Sequence, residues 1–221
     1  RKFTTTTTIK SLADGDGEKA KPFKGEWATV KDGMLYMGST GKEWTSVGIE
    51  EESIIIHRNP EWVKLINKNG RINNIDWGPV YQSIRTATNT SWPGYLWHEA
   101  VHFDQLTRRW IFLPRKASTT RYHPDEDEYK GTNLLITTAE DFSDITIRTL
   151  GSVEKEYGFS SVRKIPGTKD LFVALKVREV KGETSTKMTV FDLDGKFHID
   201  PPFINVDSKM KFEGLAFTEY E

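Results

Sequence analysis

Short apolar runs broken by turn residues recur along the whole chain. Residues 27–30 and 34–37 flank Lys31-Asp32-Gly33 and predict a β-hairpin closed by a glycine-containing turn. Further apolar runs at 110–113, 134–137 and 145–147 predict strands. So do 171–177, 188–193 and, after Asp194-Gly195, 196–199. Pro and Gly interrupt the pattern too often for long helices. Helical periodicity is nearly absent, and only residues 79–87 suit a short helical turn. The pattern predicts an all-β chain.

A weak internal repeat runs through these strands. Four times a small or acidic residue opens a short strand, a turn follows, and a stronger apolar strand comes next. The openings are Glu26-Trp27-Ala28, Glu99-Ala100-Val101, Ser160-Ser161-Val162 and Glu213-Gly214-Leu215, spaced by 73, 61 and 53 residues. Repeats of roughly 40–50 residues with several strands each are those of propeller blades. Longer spacings leave room for extended loops. In a propeller the innermost strands line a central channel, where equivalent positions converge. Three carboxylates and a hydroxyl there would offer the oxygens that a hard cation such as calcium takes. Each Glu alone reads as a solvated strand end; their matching places in the repeat single them out.

Composition changes this picture little. The 221 residues suit one large domain, here 1–221. Only 36% are hydrophobic, but 7 Trp, 7 Tyr and 12 Phe supply large buried areas. A net charge of −1 gives no basic footprint for nucleic acid. No apolar run reaches the ~18 residues of a membrane span. The absence of Cys excludes disulfides, thiolate zinc sites and Cys nucleophiles. Asn89-Thr90-Ser91 is a glycosylation sequon, which leans toward secretion.

Three motifs compete with the oxygen ring. His98-Glu99-Ala100-Val101-His102 matches the zinc-protease pattern H-E-x-x-H. That chemistry needs both imidazoles on one face of a helix, whereas residues 97–103 read as strand. On a regular strand His98 and His102 share a face and Glu99 takes the other. Asp14-Gly15-Asp16-Gly17 starts like a calcium loop, but Lys19 stands where its glycine belongs, which leaves a turn. The run Asp125-Glu126-Asp127-Glu128 reads as a solvated loop. His57, His123 and His198 show no ligand spacing.

Longer runs carry a more specific message. They are Asp14-Gly15-Asp16-Gly17, Lys24-Gly25-Glu26-Trp27-Ala28-Thr29-Val30-Lys31-Asp32, Gly41-Lys42-Glu43-Trp44-Thr45 and Asn59-Pro60-Glu61-Trp62-Val63-Lys64. Pro93-Gly94-Tyr95-Leu96, His98-Glu99, Arg109-Trp110 and Phe112-Leu113-Pro114-Arg115 follow. Lys130-Gly131, Asn133-Leu134-Leu135, Gly158-Phe159-Ser160-Ser161 and Phe212-Glu213-Gly214 complete the series. In order and spacing these runs resemble the calcium-activated nucleotidase (apyrase) family, over roughly residues 12–217.

The resemblance implies a five-bladed β-propeller with one calcium ion in its tunnel. It implies calcium-dependent hydrolysis of nucleoside di- and triphosphates (UDP, GDP, ADP, ATP) with release of phosphate. By motif, the calcium ligands would be Glu26, Glu99, Ser160 and Glu213. Arg115 falls where the family places a residue important for the nucleotide, and a guanidinium there would grip phosphate oxygens. Lys42 is a weaker phosphate candidate beside its reading as a solvated loop lysine. Family members are secreted or lie in the endoplasmic reticulum or Golgi lumen, and can form calcium-dependent homodimers. Five blades at the spacing seen here need about 310 residues, so the chain is expected to match the C-terminal two-thirds of such a propeller. It would lack the N-terminal blade region, and 1–10 would lie in mid-blade. A non-catalytic, truncated propeller that binds calcium, nucleotide or a protein partner is the alternative.

Overall fold

Residues 10–47 and 53–218 are described by the structure, a computed structural model. The expected mid-blade segment 1–10 lies outside them except for Lys10. The turn residues and apolar runs build three four-stranded antiparallel sheets and one two-stranded hairpin. In the first sheet, strand β1 (Trp27–Lys31) pairs with β2 (Met34–Gly38), and β5 (Trp62–Ile66) and β6 (Ile72–Asp76) follow. The hairpin β3 (Trp44–Val47) and β4 (Ser53–His57) is inserted between β2 and β5. The second sheet runs β7 (Tyr95–Asp104), β8 (Arg109–Ser118), β9 (Leu134–Ala139) and β10 (Thr146–Thr149). The third runs β11 (Tyr157–Lys164), β12 (Leu171–Val180), β13 (Glu183–Asp192) and β14 (Ile204–Asp207). The first strands β1, β7 and β11 lie next to one another. Meanders that each contribute a first strand to a shared axis are propeller blades. The chain is all-β, as its pattern predicts.

Two apolar layers hold the blades together. Trp27, Val63, Trp77, Ile84, Leu96, Phe103, Trp110 and Phe112 form one between the first and second sheets. Ile111, Leu113, Leu135, Phe159, Val162, Phe172 and Phe191 form the other between the second and third. In the first layer Trp77 stands edge-on to Trp110 at 5.0 Å and lies 5.5 Å from Trp27. Gly38 makes room for this: a Cβ there would stand 2.0 Å from the Trp27 ring. At the far end of the strands a polar clasp joins three hairpin turns. Arg108, after β7, bonds Asp32 of the β1–β2 turn at 2.5 and 2.9 Å and Glu140 of the β9–β10 turn.

Three elements depart from the sequence reading. Residues 79–87 form not one turn but a ten-residue helix, α1 (Gly78–Ala87). Asp76 Oδ1 accepts from Gly78 N at 2.8 Å, and Pro79 suits the first turn. Its inner face is Tyr81, Ile84 and Arg85. The buried Arg85 breaks the apolar periodicity and is paired with Glu61 at 2.8 Å and Glu43 at 3.2 Å. Residues 196–199 form no strand, only a bridge from Phe197 to Phe191. Asp192 Oδ1 takes up the amides of Asp194 and Lys196, and Pro201 and Pro202 have no N–H to give. Finally, Glu213-Gly214-Leu215 is not a strand. Side-chain hydroxyls hold residues 209–212: Thr184 Oγ1 donates to Lys209 O and Thr186 Oγ1 to Met210 O, at 2.6 and 2.7 Å. Ser160 Oγ donates to Phe212 O at 2.8 Å.

Candidate active site

The ladders of the inner strands are interrupted at matching places. Between β7 and β8, Trp97 faces Lys116, His98 faces Pro114 and Ala100 faces Leu113. Glu99 and Arg115 are therefore each the extra residue of a bulge, one on each strand. Between β11 and β12, Phe159 faces Lys176 and Ser161 faces Leu175, which leaves Ser160 as the extra residue. Bulges free a side chain from the pleat and re-aim it, and they gather beside active sites. Pro114, with no N–H, breaks the β8 ladder next to Arg115. Glu26 stands immediately before β1.

The two bulged residues meet. Arg115 Nη1 donates to both Glu99 oxygens at 2.7 and 2.8 Å, and its Nη2 to Glu179 Oε2 at 2.8 Å. Trp97 Nε1 donates to Glu99 Oε1 at 3.1 Å. Lys211 Nζ lies 2.9 Å from Glu179 Oε2 and 2.8 Å from Glu213 Oε1. Lys24 Nζ lies 2.7 Å from Glu26 Oε1, angled as an ion pair, so that buried oxygen has no hydrogen-bond donor. Gly158 permits the close approach, since a Cβ there would stand 1.9 Å from Arg115 O. Burial pushes the Glu99 carboxyl up and the Arg115 guanidinium opposes the push. The Lys211 bond, with Arg115 beside it, holds Glu179 down at about 2.

Of the residues singled out by sequence, Glu26, Glu99, Arg115 and Glu213 line one cleft of about 360 Å³. Ser160 is tied to it through Phe212. Lys42 is elsewhere, and it is not the solvated loop lysine of the plain reading. Buried, it donates to Glu43 O at 2.9 Å and Thr45 Oγ1 at 3.1 Å and sits 4.4 Å from the Tyr122 ring. Burial lowers its pKa. It lines a second cavity of about 280 Å³ with Trp44, His57, Tyr122 and Lys21. Lys24 and Trp97 line both cavities, which makes them neighbours.

The competing motifs resolve differently. The bulge at Glu99 reverses the strand's alternation, so His98 and His102 do not share a face as a regular strand would have it. His98 packs on Tyr81 and Phe112 of the first layer, and His102 meets Phe172 of the second. Among the described residues no three His or acidic side chains converge closely enough to hold a metal as they stand. Burial holds His98 near 3, with Arg85 adding to the effect. The folded state therefore takes up this proton less readily than the unfolded chain does. Stability is expected to fall as pH drops below ~6.5, by about 1.4 kcal/mol per unit for this group. Urea unfolding between pH 7 and 5 should show a shallower slope in His98→Phe. Asp127, within the acidic run, is not solvated: it accepts from Tyr95 Oη at 2.7 Å and pairs with Lys116. The Asp14 segment is a turn, with Asn59 Nδ2 donating to Asp14 Oδ2 at 3.0 Å.

Two comparisons place these features among known proteins. The Apyrase family model matches residues 2–218. The chain belongs to the apyrase family. It is 44% identical over 207 residues to soluble calcium-activated nucleotidase 1 of Rattus norvegicus, covering 93% of this chain and 50% of that protein. Against an apyrase of Cimex lectularius the identity is 40% over 208 residues, covering 93% and 55%. Against apyrase apy-1 of Caenorhabditis elegans it is 37% over 209 residues, covering 93% and 57%. The chain thus spans about half the length of the curated apyrase relatives it matches. No helix among its described residues is long and apolar enough to cross a membrane.

Lys24, Trp97, Glu179 and Lys211 belong to this apyrase cleft without having been singled out by sequence. Lys24 lies in a quoted run, but its type did not mark it. Glu179 follows the apolar run 171–177 and reads as a strand end.

Proposed function

We propose that the chain serves calcium-dependent hydrolysis of nucleoside di- and triphosphates with release of phosphate. Glu26, Glu99, Ser160 and Glu213 are the oxygen donors for calcium, and Arg115 grips the phosphate. The observation that carries this reading is the pair of facing bulges that brings Glu99 and Arg115 together. The donor set suits calcium, being all oxygen and mostly carboxylate. Glu26 Oε1 is paired at 2.7 Å with the exposed ammonium of Lys24, a partner that calcium can replace. Glu99 and Glu213 now face Arg115 and Lys211, so the site is not preassembled. Calcium, when bound, supplies charge neutralisation at phosphate oxygens.

The chain's own side chains do the rest. Arg115 carries a fixed planar fork that can move from carboxylate to phosphate without changing its charge. Its second carboxylate partner is Glu179. The adjoining cavity offers Trp44, Trp97 and Tyr122 as apolar faces for a nucleobase. Stacking of this kind is tolerant of base identity. A calcium site assembled on binding suits the ~10⁻⁴–10⁻³ M affinities of extracellular modules. Secretion or a lumenal location fits that range, and Asn89 of the sequon is exposed just past α1.

Phosphate release from UDP, GDP, ADP and ATP, with calcium, with magnesium alone and with chelator, tests the reading. Calcium-dependent release, lost in chelator and in Glu99→Ala, is expected. Release indifferent to both treatments would overturn it. Calcium binding without any turnover by folded protein would favour the non-catalytic alternative.

A further inference from the structure

Glu179 lies outside the oxygen set, yet it is the hinge of the charge network. Its Oε2 is shared by Arg115 Nη2 at 2.8 Å and Lys211 Nζ at 2.9 Å. Arg115 comes from β8, Glu179 from β12 and Lys211 from the segment after β14. One carboxylate oxygen thus joins three parts of the fold. Arg115 is buried and its other nitrogen is committed to Glu99. Lys211 reaches Glu213 with the same ammonium. Without Glu179, Arg115 would keep one carboxylate partner, and the segment carrying Glu213 would keep its hydroxyl tethers and the Asp207 bonds to Lys209 N and Met210 N.

We infer that Glu179 is a positioning residue of this site, which aims Arg115 and holds the Glu213 segment against the ring. The inference rests on the nucleotidase reading for its kinetic consequence, but not for its structural one. When Glu99 turns away from Arg115 toward another partner, Glu179 remains as the guanidinium's counter-charge. It keeps the fork in the cleft at the moment when the fork is free to take phosphate. Lys211, shared in the same way, ties the exposed Glu213 carboxylate to the rim of the cleft. A carboxylate suits the task because one oxygen can accept from two cations at once.

Two readouts on the full-length natural protein test this. The first is the rate of tryptic cleavage after Lys209 and Lys211, followed by mass spectrometry in chelator. Glu179→Ala should be cut at least fivefold faster than wild type. Glu179→Gln, which keeps an acceptor of the same length, should fall between them. Glu156→Ala serves as control, since Glu156 touches Arg178 away from the cleft. The second is steady-state phosphate release from UDP at saturating calcium. Glu179→Ala should lose at least tenfold in kcat with KM changed less than threefold, and Glu179→Gln should recover part of the loss. Unchanged cleavage in Glu179→Ala would overturn the inference. So would faster cleavage with an unchanged kcat, because one oxygen is held to serve both functions. If wild type turns over no nucleotide, the nucleotidase reading fails by itself, and the cleavage rates alone decide the role of Glu179.

Discussion

Replacing Arg115 by Ala is expected to slow turnover and tighten calcium binding together. Under the proposed function the guanidinium has two roles, which pull apart in this variant. As the phosphate grip, its loss removes donors aimed at developing charge, which typically costs about 10²–10³ in kcat. As the partner that holds both Glu99 oxygens, its loss frees a candidate calcium ligand. A calcium titration by calorimetry should therefore show a lower Kd, while UDP hydrolysis at saturating calcium shows the fall in kcat. Arg115→Lys separates the contributions further. An ammonium is a point charge that cannot span Glu99 and Glu179 as a planar fork does. It should restore only about tenfold of the lost rate. In chelator, Arg115→Ala leaves Glu99 buried without its counter-charge, and removal of one partner from such a pair costs about 3–5 kcal/mol. Calcium should return part of that stability. Unchanged kcat and unchanged calcium affinity would remove Arg115 from the site.

Trp110→Ala is the substitution expected to cost most in stability. The indole is 1% exposed and meets Tyr36, Trp77, Phe103, Phe112 and Phe142 within 6.5 Å. Its Nε1 donates to Glu140 O at 3.2 Å. Two of these rings, Tyr36 and Trp77, come from the first sheet and its helix connection, so the cavity would open between two blades where neither sheet alone can close it. Truncations of this kind cost about 3–5 kcal/mol. In a chain of this size that is roughly 10 °C in Tm. Trp44→Ala is the contrast: this ring is 55% exposed. Its loss should stay within about 0.5 kcal/mol. Its effect should fall instead on the KM for nucleotide, through the adjoining cavity. Equal losses of Tm in the two variants would contradict this division of core and surface.

Much of the fold is legible in the chain because its strands are short, apolar and separated by turn residues. The hairpin 27–37 and strands β8, β9, β12 and β13 follow from period and punctuation alone. The helix α1 follows in its place, over residues 79–87, but not in its packing, because its buried Arg85 reads as a surface charge until Glu43 and Glu61 are seen beside it. The four proposed oxygen donors stand out as a repeat, and the sheet register makes two of them, Glu99 and Ser160, extra residues in their ladders. A bulge leaves no mark in hydrophobic alternation, which is also why His98 and His102 were expected on one face. Glu179 and Lys211 could not be read at all. Their meaning lies in which distant strands they join, and charge at a strand end is ordinary in any sequence.

The clasp of Asp32, Arg108 and Glu140 lies beyond the ends of β1 and β7, at the opposite end from Glu26 and Glu99. It is open to solvent, whereas the Arg115–Glu99 pair is buried. Added electrolyte screens the first far more than the second. Ionic strength thus acts on the clasp far more than on the buried Arg115–Glu99 pair. Between low and high salt the blades should loosen at the clasp while the Arg115–Glu99 pair persists. Brine and buffer would then give proteins of different cohesion around the same buried pair.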